Sequence, residues 1–310
     1  MVFLRSAAPA AALLTLAAAS SSSKRGLCFV PSKNHPEDNK IWTNNAGSDL
    51  TWYYNYEYEP TDEYKDVFDF EYVPMLWGAS PDGDSSTPFL DSIRSRLASG
   101  ASIKHVLGFN EPDGPHSTGG SLIAPEEAAA EWQRQMEPLR DDGIKLGAPA
   151  VTGSPDGMMW LQDFFTYCNG SCTPDFLPVH FYGSFEGLAS KIGEVTVAYP
   201  RLEVWVTEWG FDNQGLEETQ KFYNESVRMF DDWSNITRYS YFGAFRSGVS
   251  NVGPNVAMLT EKGELTDIGS WYLGGAATNN IPHAGGAGAM SEMSARTLFV
   301  TVLVALFVIW

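Results

Sequence analysis

The chain has 310 residues, of which 44% are hydrophobic and 13% aromatic, and a formal charge of −18. So negative a balance argues against nucleic acid or an anionic membrane surface as partner and suits a neutral substrate. Apart from its two atypical ends, the length is that of an α/β barrel folded as one domain.

In chain order, Met1–Ser23 carries one early charge, Arg5, then an apolar stretch through Ala19 and small residues suited to cleavage, the pattern of a secretory signal peptide. Short apolar runs predict strands at Gly26–Val30, Leu50–Asn55, Phe70–Trp77 and Lys104–Asn110, then at Lys145–Ala150, Phe176–Tyr182, Glu203–Glu208 and Arg238–Phe245. Amphipathic stretches between them predict helices at Phe89–Leu97, Pro125–Arg140, Met158–Tyr167, Leu188–Val197, Leu216–Asp231 and Leu265–Leu273. In Pro125–Arg140 the proline suits the first helical position, and Glu126 and Glu127 fall in the acidic-preferring first turn. Eight strands alternating with helices imply the α/β class and a single-domain (β/α)8 TIM barrel over residues 24–276. A Gly/Ala-rich stalk at 277–296 would follow. Thr297–Trp310 is uncharged and mostly apolar, but too short for the roughly 20 residues of a spanning helix. With Gly285, Gly286 and Ala287 as small attachment residues, the pattern is that of a GPI-anchor signal. The mature protein is thus expected to be secreted to the cell surface or wall, to meet a membrane only through that lipid anchor, and to act as a monomer.

A secreted chain is in the compartment where disulfides persist, and Cys168 and Cys172 are close enough for a local bridge. Cys28, inside the apolar run Leu27–Val30, is expected to pack as a buried thiol. Glycosylation sequons stand at Asn169, Asn224 and Asn235, the last with least room because a strand follows it.

Two carboxylate motifs sit where apolar strands give out: Gly108-Phe109-Asn110-Glu111-Pro112-Asp113 and Val206-Thr207-Glu208-Trp209-Gly210. In a barrel of this kind, strand C-termini are where the chemistry lies, and three βα units place Glu111 on strand 4 and Glu208 on strand 7. Two such glutamates are what glycosidic bond cleavage requires, one protonating the leaving oxygen and the other attacking the sugar. For either glutamate alone, a structural ion pair would be the default; two at facing strand ends point to catalysis. Aromatic residues at strand ends, Tyr54, Trp77, Tyr182, Trp209 and also Trp42, are candidate sugar platforms, because C–H faces of sugars pack on rings. Asn55 is a candidate substrate contact. His180 is either a core histidine or a partner that orients Glu208 or a sugar hydroxyl.

These motifs, with Val179-His180-Phe181-Tyr182-Gly183, Lys24–Leu27, Trp52–Tyr56 and Val73–Gly78, resemble glycoside hydrolase family 128, a fungal-type family of the clan of retaining barrel glycosidases. The resemblance spans essentially the whole mature chain. It implies action on β-1,3-glucan, with some relatives binding glucan without appreciable hydrolysis. Carried over by position, Glu111 looks like the general acid/base, Glu208 like the nucleophile of a double displacement, and Asn110 like the asparagine that bonds the sugar 2-hydroxyl. Where the family usually has Trp, this chain has Tyr56 on strand 2 and Phe181 on strand 6. The retaining mechanism would require the carboxyls to lie about 5 to 5.5 Å apart.

Other chemistries find no motif. There is no His-Glu-x-x-His pair, no phosphate-binding Gly-Lys-Ser/Thr loop and no spaced metal-ligand cluster, and Gly153-Ser154-Pro155 lacks the second glycine of a nucleophile elbow. No cofactor or metal is expected. The leading expectation is an endo-β-1,3-glucanase acting on wall glucan; the alternatives are a non-hydrolytic glucan-binding wall protein and a transglycosylase of the same fold.

Overall fold

The computed structural model describes residues 22–44, 48–64, 70–80 and 85–283. Residues 1–21 of the expected leader Met1–Ser23, the expected anchor site at Gly285, Gly286 and Ala287, and the apolar tail lie outside them. Among the described residues no helix is long and apolar enough to cross a membrane.

Among the described residues eight parallel strands form the centre: β1 Arg25–Cys28, β2 Trp52–Tyr54, β3 Glu71–Tyr72, β4 His105–Val106, β5 Lys145–Leu146, β6 Phe176–Tyr182, β7 Glu203–Gly210 and β8 Ile236–Tyr241. The order β3-β2-β1-β8-β7-β6 is continuous, and β4 pairs β5. Isolated parallel bridges join the two sets, Met75 to Leu107 and Gly147 to Phe176. Backbone bonds reinforce both seams: Leu107 N–H donates to Pro74 at 2.8 Å and Ala148 N–H to Phe176 at 2.9 Å. The ring therefore closes as the (β/α)8 barrel the alternation predicts. Several strands are shorter than their apolar runs. In β3 the cause is Pro74, which has no N–H for the ladder.

The α-helices are α1 Ile41–Asn44, α2 Pro88–Ala98, α3 Pro125–Gln135, α4 Pro155–Cys168, α5 Phe185–Ala198, α6 Leu216–Asp232 and α7 Asp267–Tyr272. After β1 and β2 the described helical structure is short: a 3-10 turn at Pro36–Lys40 leading into α1, and another at Asp62–Tyr64. Ser154, Ser184 and Thr266 cap α4, α5 and α7, each side chain accepting from a glycine N–H three residues on. The run predicted as one helix to Arg140 ends at Gln135 and continues as a 3-10 turn, Glu137–Arg140. Pro138 is the reason, since its ring would clash with the carbonyl of Arg134.

Two apolar layers result. Between strands and helices lies the larger core, including Leu27, Phe109, Trp132, Phe164, Val206 and Phe230. The lumen holds a second cluster of Cys28, Trp52, Tyr54, Val73, Met75, Leu107, Phe176 and Trp205. Gly26 is what admits Trp52: a Cβ there would lie 2.1 Å from the indole. At the N-terminal end of the barrel, Glu71 accepts from Arg238 at 2.7 Å and pairs with His105 Nδ1 at 2.7 Å. The Arg238 guanidinium lies over the Trp205 ring, 4.4 Å from its centroid, and closes that end. Cys168 and Cys172 are disulfide-bonded, with Cα atoms 5.4 Å apart, just past α4.

Candidate active site

Glu208 reaches the barrel mouth because β7 contains one extra residue. Across β6 and β7, Val179 pairs with Val206 but His180 pairs with Glu208, so Thr207 has no partner of its own. Such a bulge resets the two-residue alternation. Before it, Trp205 faces the lumen and Val206 the helices; after it, Glu208 faces the mouth and Trp209 the helices. The odd carbonyl is satisfied from inside the barrel, where Tyr54 Oη donates to Thr207 O at 2.9 Å and Ser240 Oγ donates to it at 2.6 Å.

On the opposite side β4 ends close against β5. A Cβ on Gly108 would lie 2.8 Å from the Gly147 carbonyl, so only glycine allows the approach. Asn110 bridges to Ala150, and Glu111 N–H donates to the Ala150 carbonyl at 2.7 Å. Glu111 has φ of 40°, in the left-handed region that glutamate seldom occupies. The Asp113 carboxylate accepts from Thr152 N–H at 2.9 Å, tying the loops that follow β4 and β5.

The two carboxylates meet over a buried imidazole. His180 Nδ1 lies 3.1 Å from Glu111 Oε1 and 3.6 Å from Glu208 Oε1, and the three side chains present atoms all within 4.8 Å of one another. Burial works against a charged His180, but the adjacent carboxylates outweigh it and raise its pKa. Glu208 has one phenol on each oxygen: Tyr182 donates to Oε2 and Tyr56 to Oε1, both at 2.7 Å. Burial is the largest influence on Glu208 and raises its pKa, as does the charge of Glu111; His180, Tyr182 and Tyr56 act the other way and favour the anion. The same three side chains are the one set, among the described residues, with ligating atoms close enough to share a metal ion. His180 Nδ1 and both Glu208 oxygens already have partners inside the cluster.

The carboxylates open into a cleft of about 970 Å³ lined by Tyr56, Trp77, Asn110, Thr152, Tyr182 and Phe242, among others. Val30, Phe242 and Asn251 are shared with a second hollow of about 600 Å³ between the β1 and β8 loops, walled by Trp42, Phe245, Val249 and Leu259. Residues 26–272 match the family described as glycosyl hydrolase catalytic core. The chain belongs to that family, glycoside hydrolase family 128. Alkali-sensitive linkage protein 1 of Schizosaccharomyces pombe is 30% identical over 263 residues, 81% of this chain and 44% of that protein, so the chain spans under half the length of this curated relative. Among solved structures, a curdlan-specific exo-β-1,3-glucanase of Blastomyces gilchristii in complex with glucose is 30% identical, with TM-score 0.64, covering 82% of this chain and 99% of that one. An endo-β-1,3-glucanase of Sorangium cellulosum is 26% identical with TM-score 0.62 and the same coverage. An oligosaccharide-binding protein of Cryptococcus neoformans, at 22% identity, TM-score 0.62 and coverage of 84% and 95%, shares the fold.

Within this member of family 128 the residues predicted from sequence fall into two groups. Glu111, Glu208, Asn110, Trp77, Tyr182 and His180 are brought together at the mouth. Asn110 Nδ2 donates to Gly119 O at 2.9 Å, leaving Oδ1 buried without a protein partner beside the cleft. Trp77 is half-buried on the cleft wall, backed by His116 with ring centroids 5.9 Å apart. Tyr182 lines the cleft, but its hydroxyl is committed to Glu208. The second group is corrected. Trp209 is no sugar platform: the bulge turns it outward, where it is fully buried among Phe222, Tyr223, Phe230 and Tyr241. Tyr54 is equally buried beneath the site as the clamp on Thr207. Asn55 is spent on its own turn, accepting from Tyr72 Oη at 2.8 Å and donating to Glu59 O at 3.0 Å. Trp42 is 1% exposed and borders the second hollow instead of the cleft at the two carboxylates.

Among the sequons, Asn169 is exposed at the C-cap of α4, whereas the Asn224 and Asn235 amides bond Gln220 O and Thr196 Oγ1. Cys28 is buried, as its apolar run predicts, and its Sγ lies 2.9 Å from Tyr56 Oη. Thr152 and Phe242 at the mouth carry no motif; Tyr56 ends the Trp52–Tyr56 motif, where it stands out as a departure from the family's usual Trp but has no sign of a bond to Glu208.

Proposed function

We propose that this chain is a retaining endo-β-1,3-glucanase acting on cell-wall glucan, with Glu111 as general acid/base and Glu208 as nucleophile. The observation that carries the reading is the pair of carboxylates with atoms within 4.8 Å of each other across His180. Inverting enzymes hold their carboxyls about 6.5–9.5 Å apart and retaining ones about 5–5.5 Å, and so close an approach of one oxygen from each supports the retaining arrangement. Glu111 gives a proton to the leaving oxygen while Glu208 attacks the anomeric carbon. The ester that forms carries no charge, so Glu111, now an anion, takes a proton from the water that opens it. The hydrogen bonds of Tyr182 and Tyr56 keep Glu208 oriented and ionised as burial opposes charge, and the unpartnered Asn110 Oδ1 is available to a sugar hydroxyl.

The substrate class is supported by membership of a family in which solved relatives 30% and 26% identical to this chain are β-1,3-glucanases. Internal cleavage is supported by the second hollow, which extends the catalytic cleft beyond Val30, Phe242 and Asn251. A leader and a GPI anchor would hold the enzyme at the cell surface.

The test is reducing-sugar release from linear β-1,3-glucan, with cellulose and mixed-linkage glucan as controls, beside Glu208→Gln. Release from the β-1,3-glucan alone, as a ladder of oligosaccharides of initially β configuration, and loss by about 10³-fold or more in the variant are expected. Glucose as sole early product would make the enzyme exo-acting; products longer than the starting oligosaccharide would make it a transglycosylase. Binding without release in both proteins would mean a glucan-binding protein.

A further inference from the structure

Tyr56 lies outside the motifs that mark the two glutamates, yet three observations place it on the nucleophile. Its hydroxyl donates to Glu208 Oε1 at 2.7 Å, opposite Tyr182 on Oε2. Its φ of 64° is left-handed, a conformation an aromatic residue adopts only where surrounding contacts offset the strain. Its oxygen also lies 2.9 Å from Sγ of Cys28, the free thiol on β1. A phenol has one proton, and the carboxylate is the stronger acceptor, so the thiol is the donor to Tyr56. Burial is the largest influence on Cys28 and pushes the thiol up, which keeps that S–H in place.

We propose that Tyr56 is a second catalytic hydroxyl on Glu208 and that Cys28 is its positioning residue. The chain of bonds runs Cys28 S–H to Tyr56 O, then Tyr56 O–H to Glu208 Oε1. The S–H suits the rear position: by donating to the phenol oxygen it fixes the direction of the phenol proton and polarises that O–H toward Glu208. The groups facing Glu208 are Glu111 from the end of β4, His180 and Tyr182 from β6, and Tyr56 beyond β2, with Tyr54 and Cys28 behind. Removal of the Tyr56 hydroxyl therefore leaves Glu208 with Tyr182 as its one phenol donor. The glycosidase mechanism proposed above underlies the catalytic part of this inference; the hydrogen bond itself does not depend on it.

The experiment follows the Glu208 carboxyl directly. In protein labelled with ¹³C-glutamate, its signal is the one missing from Glu208→Gln, and its titration is compared in wild type, Tyr56→Phe, Cys28→Ala and Cys28→Ser, beside kcat and KM on linear β-1,3-glucan. A hydrogen bond to the anion favours it, so Tyr56→Phe should raise the midpoint by about one pH unit. The acid limb of kcat/KM should move up with it. We expect kcat to fall about tenfold and KM to stay within about twofold. Cys28→Ala should show part of both effects and Cys28→Ser, which keeps a donor, neither. If Tyr56→Phe fails to fold, the contrast between Cys28→Ala and Cys28→Ser makes the same test. An unmoved midpoint in Tyr56→Phe, or equal midpoints in the two Cys28 variants, overturns the proposal. A midpoint that moves in a wild-type background releasing no sugar keeps the hydrogen bond but removes the catalytic role, and with it the glucanase reading.

Discussion

A single unpaired residue, Thr207, decides which way Glu208, the proposed nucleophile, faces, and two hydroxyls hold that residue in place. Tyr54→Phe and Ser240→Ala each remove one donor from a buried carbonyl, and each should cost about 1 kcal/mol. The double variant should cost more than the sum, because the carbonyl then has no side-chain donor, and the two sites share one acceptor. Urea unfolding checks the stability, and kcat should fall in parallel as Glu208 loses its fixed direction. At this scale the sequence displays the glutamates clearly, since Asn-Glu-Pro and Thr-Glu-Trp stand at the ends of apolar runs. It hides the orientation of their neighbours. A bulge leaves no mark in the pattern of apolar residues when both Thr207 and Trp209 can be buried, so Trp209 reads as a sugar platform; Tyr54 reads as one because nothing in sequence shows that its hydroxyl is taken by Thr207 O. The left-handed backbone of Tyr56 is equally invisible, because aromatic residues do not advertise a positive φ in the way glycine does.

Among the elements, the approach of β4 to β5 sets the place of Glu111. A methyl group on Gly108 would meet the Gly147 and Ala148 carbonyls at 2.8 and 3.0 Å, and backbone cannot turn aside as a side chain can. Gly108→Ala should therefore destabilise by about 2 kcal/mol or more by forcing the strands apart. It should also lower kcat more than a comparable change distant from the mouth, because Asn110 and Glu111 ride on the displaced strand end. Chemical denaturation and steady-state kinetics on the same preparation measure both. Helices α2 to α7 are legible from amphipathic spacing, with boundaries shifted by chemistry the pattern does not weigh: Pro138 splits the third, and serine caps start the fourth and fifth three residues before the predicted Met158 and Leu188; α1, four residues long, is too short to show a period. The short 3-10 structure after β1 and β2 was not legible, for so brief a turn has no periodicity to read.

For the molecule as a whole, alternation of strands and helices was sufficient to specify the barrel, since eight parallel strands joined by right-handed crossovers have few other closed arrangements. The charge cluster at its N-terminal end was not foreseen, because Glu71, His105 and Arg238 are far apart in sequence and lie in no motif. It has a measurable effect on stability. Burial tends to raise the Glu71 pKa, but His105 and Arg238 more than reverse this and hold it at about 2, against an ordinary 4.5. A folded value below the unfolded one stabilises above pH 4.5, and the contribution, about 3 kcal/mol, is lost as pH falls from there toward 2. Glu71→Gln should thus lower stability at pH 7 and flatten the acid limb of a stability–pH curve, which urea titrations between pH 3 and 7 will show. The lumen above that cluster is packed with Trp52, Trp205, Phe176 and Met75, and this has a consequence for a polymer. No strand of glucan can thread the barrel. On the proposed glucanase reading, a long chain would engage only by lying across the open rim or by dipping one end into it, and both fragments would leave by the side on which they arrived. Release would then need no passage of sugar through protein, and a bound chain would be cut and let go without unthreading.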